Sequence, residues 1–141
     1  MARRTLVPVD GSDPSHVALE HALTEHAGDV TVLHVVDPSD LYDGIDVGAL
    51  GGGVDREQAT QDEVDAVLES ARELATAHDG SVSTDVMTGA PSRVIVDYAE
   101  ERGFDHIVLG SHGRTGTSRI LLGSVAEAVA RRASIPVTIV R

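Results

Sequence analysis

Two short segments of the sequence carry residues that could bind a small anionic ligand. Asp10 follows a short apolar run, and a glycine-rich segment begins at Gly110 and continues to Gly123-Ser124. Glycine lets the backbone approach an anion closely, and a serine hydroxyl adds a hydrogen-bond donor. A helix that begins nearby would add partial positive charge. The spacing predicts a phosphate site, while the alternative is a tight strand-to-helix turn that needs glycine only for its backbone angles.

Two common phosphate-binding motifs do not fit this segment. A P-loop requires Gly-Lys-Ser/Thr, and the chain has no lysine, since its 11 basic residues are all arginine. The dinucleotide fingerprint follows the first strand directly, where this sequence has Asp10-Gly11-Ser12 instead. Phosphate would therefore be held by backbone N–H groups, Ser124, arginine side chains or a metal ion.

The elements that position these segments alternate regularly along the chain. Asp13 before Pro14 predicts the start of the first helix, with Asp13 as its cap, and Pro91 predicts the start of the third. Strictly alternating strands and helices predict an α/β fold, a single doubly wound domain over residues 1–141 with a parallel sheet and helices on both faces. Apolar runs predict strands at residues 5–9, 30–36, 106–109 and 137–140, and residues 82–87, which are less apolar, are the candidate for a fifth strand.

The order of the strands decides whether the two candidate segments meet. If it is 3-2-1-4-5, the first and fourth strands are neighbours where the order reverses, and ligands bind outside the carboxyl ends of such strands. Asp10 and Gly110 would then lie side by side. The glycine-rich segment at residues 37–54 is either a lid over the site or disordered.

Composition excludes several classes of partner. The net charge of −12 and the pI near 4.7 disfavour nucleic acid and an anionic membrane surface. Without cysteine, disulfide scaffolds and thiol chemistry are excluded. No apolar run reaches the ~20 residues of a membrane span, and we predict a cytoplasmic protein. The acidity and the missing lysine predict a halophilic source, with codon bias of a GC-rich genome as the alternative.

The acidity is unevenly distributed along the chain. Residues 106–141 carry five arginines and one glutamate, a net charge of +4, whereas residues 1–105 carry −16. The segment that contains the glycines is therefore locally basic, and a phosphate ligand is compatible with the overall composition.

The glycine pattern also carries a family resemblance. The pattern resembles the nucleotide-binding motif of the universal stress protein family, in that Gly110 is followed after two residues by Gly113 and after nine more by Gly123-Ser124. The similarity extends through residues 7–10, 33–37 and 135–140, and so covers essentially the whole chain. It implies a Rossmann-like five-stranded parallel sheet of order 3-2-1-4-5. It also implies binding of ATP, or of AMP or ADP, with Mg²⁺ or Mn²⁺. The nucleotide-binding residues it implies are Pro8, Val9, Asp10, Val35, Leu109, Gly110, Gly113, Arg114, Gly123, Ser124 and Val125.

The function this resemblance implies is a nucleotide-responsive stress regulatory module, in which bound nucleotide changes a surface that an unidentified protein partner reads. It also implies a homodimer that pairs through the last strand. The sequence assigns no catalytic residues and no metal ligands. A slow ATPase or phosphotransferase using the same pocket, and a nucleotide-free dimeric scaffold, stay open as alternatives.

Overall fold

The chain alternates between strands and helices, as predicted. A computed structural model describes residues 3–25, 28–38, 54–111 and 123–141, with the side chains of all of these except 54–59. The predicted strand bounds are correct to within one residue at each end. The strands are Arg4–Pro8 (β1), Asp29–Val36 (β2), Ser83–Thr88 (β3), His106–Gly110 (β4) and Val137–Val140 (β5). The helices are Asp13–Glu25 (α1), Val54–Ala77 (α2), Pro91–Glu101 (α3) and Ser124–Arg132 (α4).

The five strands form one parallel sheet of order β3-β2-β1-β4-β5, which confirms the predicted topology. β1 lies at the centre, with Val7 opposite Val32 of β2 and Thr5 opposite His106 of β4. The order reverses between β1 and β4. The segments that follow these two strands therefore leave the sheet side by side at its carboxyl edge.

Helices cover both faces of the sheet, also as predicted. Alternate residues of a strand face opposite sides, and the buried apolar side chains accordingly form two clusters. Val7 and Val32 pack with α1 and α2 on one face, whereas Leu6 and Leu33 pack with α3 and α4 on the other. With only one phenylalanine and two tyrosines in the chain, both clusters consist mainly of valine, leucine, isoleucine and alanine.

The long helix α2 shows how sequence periodicity determines burial. Val64, Val67, Leu68 and Ala71 are buried against the sheet, while the acidic residues between them are exposed, as expected for an amphipathic surface helix. Among the described residues, no helix is long and apolar enough to cross a membrane.

Candidate functional site

The chain leaves β1 through a turn centred on Asp10. Asp10 Oδ1 accepts hydrogen bonds from the Ser12 backbone N–H at 3.0 Å and from the Ser12 hydroxyl at 2.5 Å. Gly11 between them has a φ of +84°, a conformation that side-chain-bearing residues rarely adopt. A turn of this kind brings the chain from the carboxyl end of β1 directly into α1, so Asp10 lies at the edge of the sheet where the ligand was predicted.

The residue that caps α1 is Ser12, and the expectation that Asp13 caps it was wrong. The Ser12 hydroxyl accepts a hydrogen bond from the Ser15 N–H at 3.3 Å, and the Ser12 carbonyl accepts one from His16 at 3.1 Å. Asp13 is the first helical residue, where its negative charge is favourable next to the helix N-terminus. Because Asp10 binds the capping serine, it stabilises the start of α1 in addition to any contact with a ligand.

The chain leaves β4 and returns to the sheet at almost the same point. The Ser111 N–H extends the β4–β5 ladder by donating to the Val140 carbonyl at 3.0 Å, and Ser111 is only 3% exposed. The Gly123 N–H then donates to the Ser111 carbonyl at 2.5 Å. This bond ties together the two ends of the glycine-rich segment, so Gly123 lies beside the end of β4. Gly113 and Arg114, which were predicted to bind phosphate, lie outside the described residues.

Helix α4 begins immediately after this bond. Gly123 is its N-cap, and the Glu127 N–H donates to the Gly123 carbonyl at 3.0 Å. Ser124 is exposed and Val125 is half-buried. In the first turn of any α-helix the leading N–H groups have no intrahelical acceptor, so those of Ser124 and Val125 are suitable donors to an anion.

Gly110 has a packing role that the sequence did not predict. A Cβ atom at this position would lie 2.6 Å from the carbonyl oxygen of Pro14 and 2.7 Å from its carbonyl carbon. The carboxyl end of β4 therefore touches the backbone of the first turn of α1. Glycine is required there whether or not phosphate binds, which supports part of the alternative in which the glycines serve the backbone.

The apolar residues of the predicted site line the same edge of the sheet. Val9 and Leu109 are each only 4% exposed, and they belong to the clusters on opposite faces. Pro8 and Val35 are half-buried. The Val9 N–H donates to the Leu33 carbonyl at 2.9 Å. Val9 and Leu109 therefore have little surface left for a ligand, whereas Pro8 and Val35 retain more.

Two buried polar residues near Asp10 were missed by the sequence analysis. His34 is 7% exposed, and its Nδ1 lies 2.8 Å from the Val9 carbonyl oxygen. Ser15 is 5% exposed and lies in the first turn of α1. A signal for His34 was present, because a histidine inside a continuous apolar strand must find a hydrogen-bond partner when it is buried. For Ser15 there was none, because serine is common near helix starts.

A metal ion would depend on the ligand in this site. Among the described residues, no group of three histidine, aspartate or glutamate side chains is close enough to hold one. Asp10 is the acidic residue at the turn after β1, and it offers carboxylate oxygens of the kind that Mg²⁺ prefers.

Comparison with known proteins identifies relatives along the whole chain. The model of the Universal stress protein family matches residues 1–141. A universal stress protein of Methanocaldococcus jannaschii is 34% identical over 142 residues, which span 99% of this chain and 82% of that protein. The solved structure of universal stress protein UspA from Lactobacillus plantarum has a TM-score of 0.80 at 26% identity, covering 99% of this chain and 98% of that one. A universal stress protein solved in complex with cAMP has a TM-score of 0.73 at 26% identity, covering 100% of this chain and 99% of that one.

Proposed function

The chain belongs to the universal stress protein family, and on that premise we propose that it binds an adenine nucleotide at the carboxyl edge between β1 and β4. The observation that carries the proposal is the bond from the Gly123 N–H to the Ser111 carbonyl. Through it the N-terminus of α4 lies beside the end of β4, and β4 neighbours β1, which leads to Asp10. A relative solved in complex with cAMP supports the adenine nucleotide as the ligand class.

The residues have different roles in this proposal. The N–H groups of the first turn of α4 and the Ser124 hydroxyl bind phosphate oxygens, because they are the donors at a helix N-terminus. Asp10 accepts hydrogen bonds from the nucleoside, whose ribose hydroxyls and adenine amino group can both donate to a carboxylate. Pro8 and Val35, which are only half-buried, contact the nucleoside.

The ligand in this proposal is ATP, or AMP or ADP, and Mg²⁺ or Mn²⁺ would accompany it. In the part of the chain that the structure describes, no three histidine, aspartate or glutamate side chains are grouped so that they could hold such an ion. The ion would therefore be held chiefly by phosphate oxygens of the ligand, with Asp10 as the protein carboxylate at the turn after β1, since Mg²⁺ usually binds nucleotide sites in this way. Such an ion would supply positive charge to the phosphates. Without it, the chain, which has no lysine, would have to bind them with arginine and backbone N–H groups alone.

The biological role we propose is regulatory. Nucleotide binding at the junction of β1, β4, α1 and α4 favours one arrangement of the site over others, and a ligand shifts such an equilibrium by its differential affinity. β5 is an edge strand of the sheet, with all four residues half-buried. An edge strand presents unpaired backbone groups, which supports pairing of β5 with a second copy of the chain.

The test is equilibrium binding of ATP to the wild type and to two charge-matched variants. Asp10→Asn retains an Oδ1 acceptor for Ser12 but loses the negative charge, and we expect affinity to fall roughly tenfold, as for a hydrogen bond to a charged group. Asp13→Asn removes the same charge from an exposed position three residues away and is the control. Equal affinity of the two variants would exclude Asp10 as a ligand contact. Failure of the wild type to bind ATP at millimolar concentration would favour the nucleotide-free scaffold.

A further inference from the structure

The peptide bond between Val9 and Asp10 is hydrogen-bonded through both of its polar groups, in each case to a buried side chain. The Val9 carbonyl oxygen lies 2.8 Å from His34 Nδ1. The Asp10 N–H donates to the Ser15 hydroxyl oxygen at 3.4 Å. His34 belongs to β2 and Ser15 to α1. Two different elements therefore hold the single peptide plane that precedes Asp10.

His34 binds Val9 at the point where the β1–β2 ladder ends. The last paired residues are Pro8 and Leu33, and the Val9 N–H adds one further bond to the Leu33 carbonyl at 2.9 Å. A carbonyl oxygen only accepts, so Nδ1 of His34 carries a proton and donates it. The imidazole thus holds the backbone of β1 beyond its last ladder pair, where the chain turns towards Asp10.

Ser15 completes the arrangement from the opposite side. Its hydroxyl donates to the Ser12 carbonyl at 2.9 Å and accepts from the Asp10 N–H. Ser12 in turn donates to the Asp10 carboxylate. A rotation of the Val9–Asp10 peptide would break the bonds to His34 and Ser15 together, and it would move the Asp10 side chain with them.

We propose that His34 and Ser15 are positioning residues, which fix the Val9–Asp10 peptide and so hold the Asp10 carboxylate in the orientation that the nucleotide requires. This inference rests on the proposed nucleotide site. Neither residue touches the ligand. Both are more than nine-tenths buried, and each acts through the backbone of residues 9 and 10. Preorganisation of this kind increases affinity because the free protein already has the binding geometry.

The experiment compares two variants, His34→Leu and His34→Asn. Its control is the leucine substitution at the other buried histidine of the sheet. In His34→Asn the side-chain amide nitrogen is bonded to Cγ, as Nδ1 is in histidine, so an N–H donor is retained. His34→Leu has no donor. His106 is 4% exposed, bonds Thr138 through Nε2 at 2.7 Å, and is the first residue of β4, at the amino edge of the sheet away from Asp10. His106→Leu is therefore the control for losing a buried histidine from this sheet.

The expected results separate positioning from stability. ATP affinity, measured by calorimetry, falls about tenfold in His34→Leu, stays within about twofold of wild type in His34→Asn, and is unchanged in His106→Leu. The two leucine variants both lower the melting temperature, since each removes a hydrogen bond made by a buried histidine. Wild-type affinity in His34→Leu would overturn the proposal, as would an equal loss in His34→Leu and His34→Asn.

A second readout needs no nucleotide and no leucine at position 34. Hydrogen exchange of the Asp10 amide, followed by NMR, is expected to accelerate about tenfold in Ser15→Ala and to stay at the wild-type rate in His106→Leu. An unchanged exchange rate in Ser15→Ala would overturn the proposal that Ser15 fixes the Val9–Asp10 peptide, even if His34→Leu does not fold. If the wild type fails to bind ATP, the proposed function is wrong, and the exchange rate of the Asp10 amide in Ser15→Ala still decides whether Ser15 fixes the Val9–Asp10 peptide.

Discussion

Replacing Gly110 by alanine tests the contact between the end of β4 and the start of α1. Gly110 is the last residue of β4, and its φ does not lie in the left-handed region. Alanine therefore creates no backbone strain at this position. The added Cβ instead meets three atoms of Pro14, its carbonyl oxygen at 2.6 Å, its carbonyl carbon at 2.7 Å and its Cβ at 3.0 Å.

The magnitude follows from these distances. A Cβ atom essentially never lies within 3.0 Å of a heavy atom that is not its chain neighbour, so β4 and α1 must separate by at least about 0.4 Å. The atoms that must move belong to backbone, which cannot rotate away as a flexible side chain can. Inserting a methyl group into such a contact costs roughly 1–3 kcal/mol. We expect the upper half of that range, because the shift also disturbs the Ser12 cap and the Asp10 turn.

The assay is urea unfolding of Gly110→Ala beside Gly80→Ala. At Gly80 a Cβ would lie 3.7 Å from its two nearest neighbours, Ala75 O and Leu23 Cδ2, which is ordinary contact. The two variants share the chemical change and its effect on the unfolded chain, worth about 0.4–1 kcal/mol in favour of alanine. Their difference therefore isolates the packing against Pro14. We expect Gly110→Ala to have the lower midpoint at an unchanged slope.

One result would refute this reasoning. If Gly110→Ala is as stable as Gly80→Ala, the approach of β4 to α1 is not close, and Gly110 has no packing role. A combination of lowered stability and normal ATP affinity would instead separate the fold from the site, and it would show that Gly110 is present for α1 and not for phosphate.

Two further predictions concern pH. The Ser134 hydroxyl and N–H donate to Glu100 at 2.6 and 2.8 Å, and these bonds hold the pKa of its carboxyl below the ordinary value of 4.5. The ionised Glu100 therefore stabilises the folded state above that value, and this stabilisation is lost as pH falls through the folded pKa. The free energy of unfolding should therefore fall more steeply with decreasing pH in the wild type than in Glu100→Gln. Equal slopes in the two proteins would count against the hydrogen bonds between Ser134 and Glu100. Burial, with the hydrogen bond to the Asp85 carboxylate, raises the pKa of Tyr98 to about 12. The neutral Tyr98 therefore stabilises the folded state below about pH 10, and this stabilisation is lost as pH rises through about 12. Tyrosinate absorbance of a Tyr42→Phe protein, which retains Tyr98 alone, should rise near pH 12, and a rise near 10 would contradict it.

Most of the fold could be predicted from local patterns. Each strand except β3 contains an apolar run, whereas β3 has the mixed sequence STDVMT. The one-residue errors at the ends arise because bounds depend on ladder bonds between strands. For α2, the positions of Val64, Val67 and Ala71 followed from helical spacing alone. The strand order came from the family resemblance, since alternation permits several doubly wound orders.

The candidate site could be predicted only in part. The sequence identified Asp10 and Gly110 as neighbours, and the order of the sheet confirms that β1 and β4 are adjacent. It assigned the cap of α1 to Asp13, because aspartate before proline fits that position, whereas the hydrogen bonds assign it to Ser12. The halophilic source and the ATP specificity stay predictions, as they rest on composition and motif.

The sequence alone determined which segments form strands and helices and which of them carry the nucleotide motif, because periodicity and glycine spacing are local properties. Tertiary structure decided what individual residues do. His34 binds the Val9 carbonyl across 25 positions of sequence, and Gly110 meets Pro14 across a gap almost four times as long. Such contacts depend on the register of β1 against β2 and on the docking of α1 against β4. Neither quantity is encoded within one segment, so the roles of His34, Ser15 and Gly110 emerged only when the sheet and its helices were assembled.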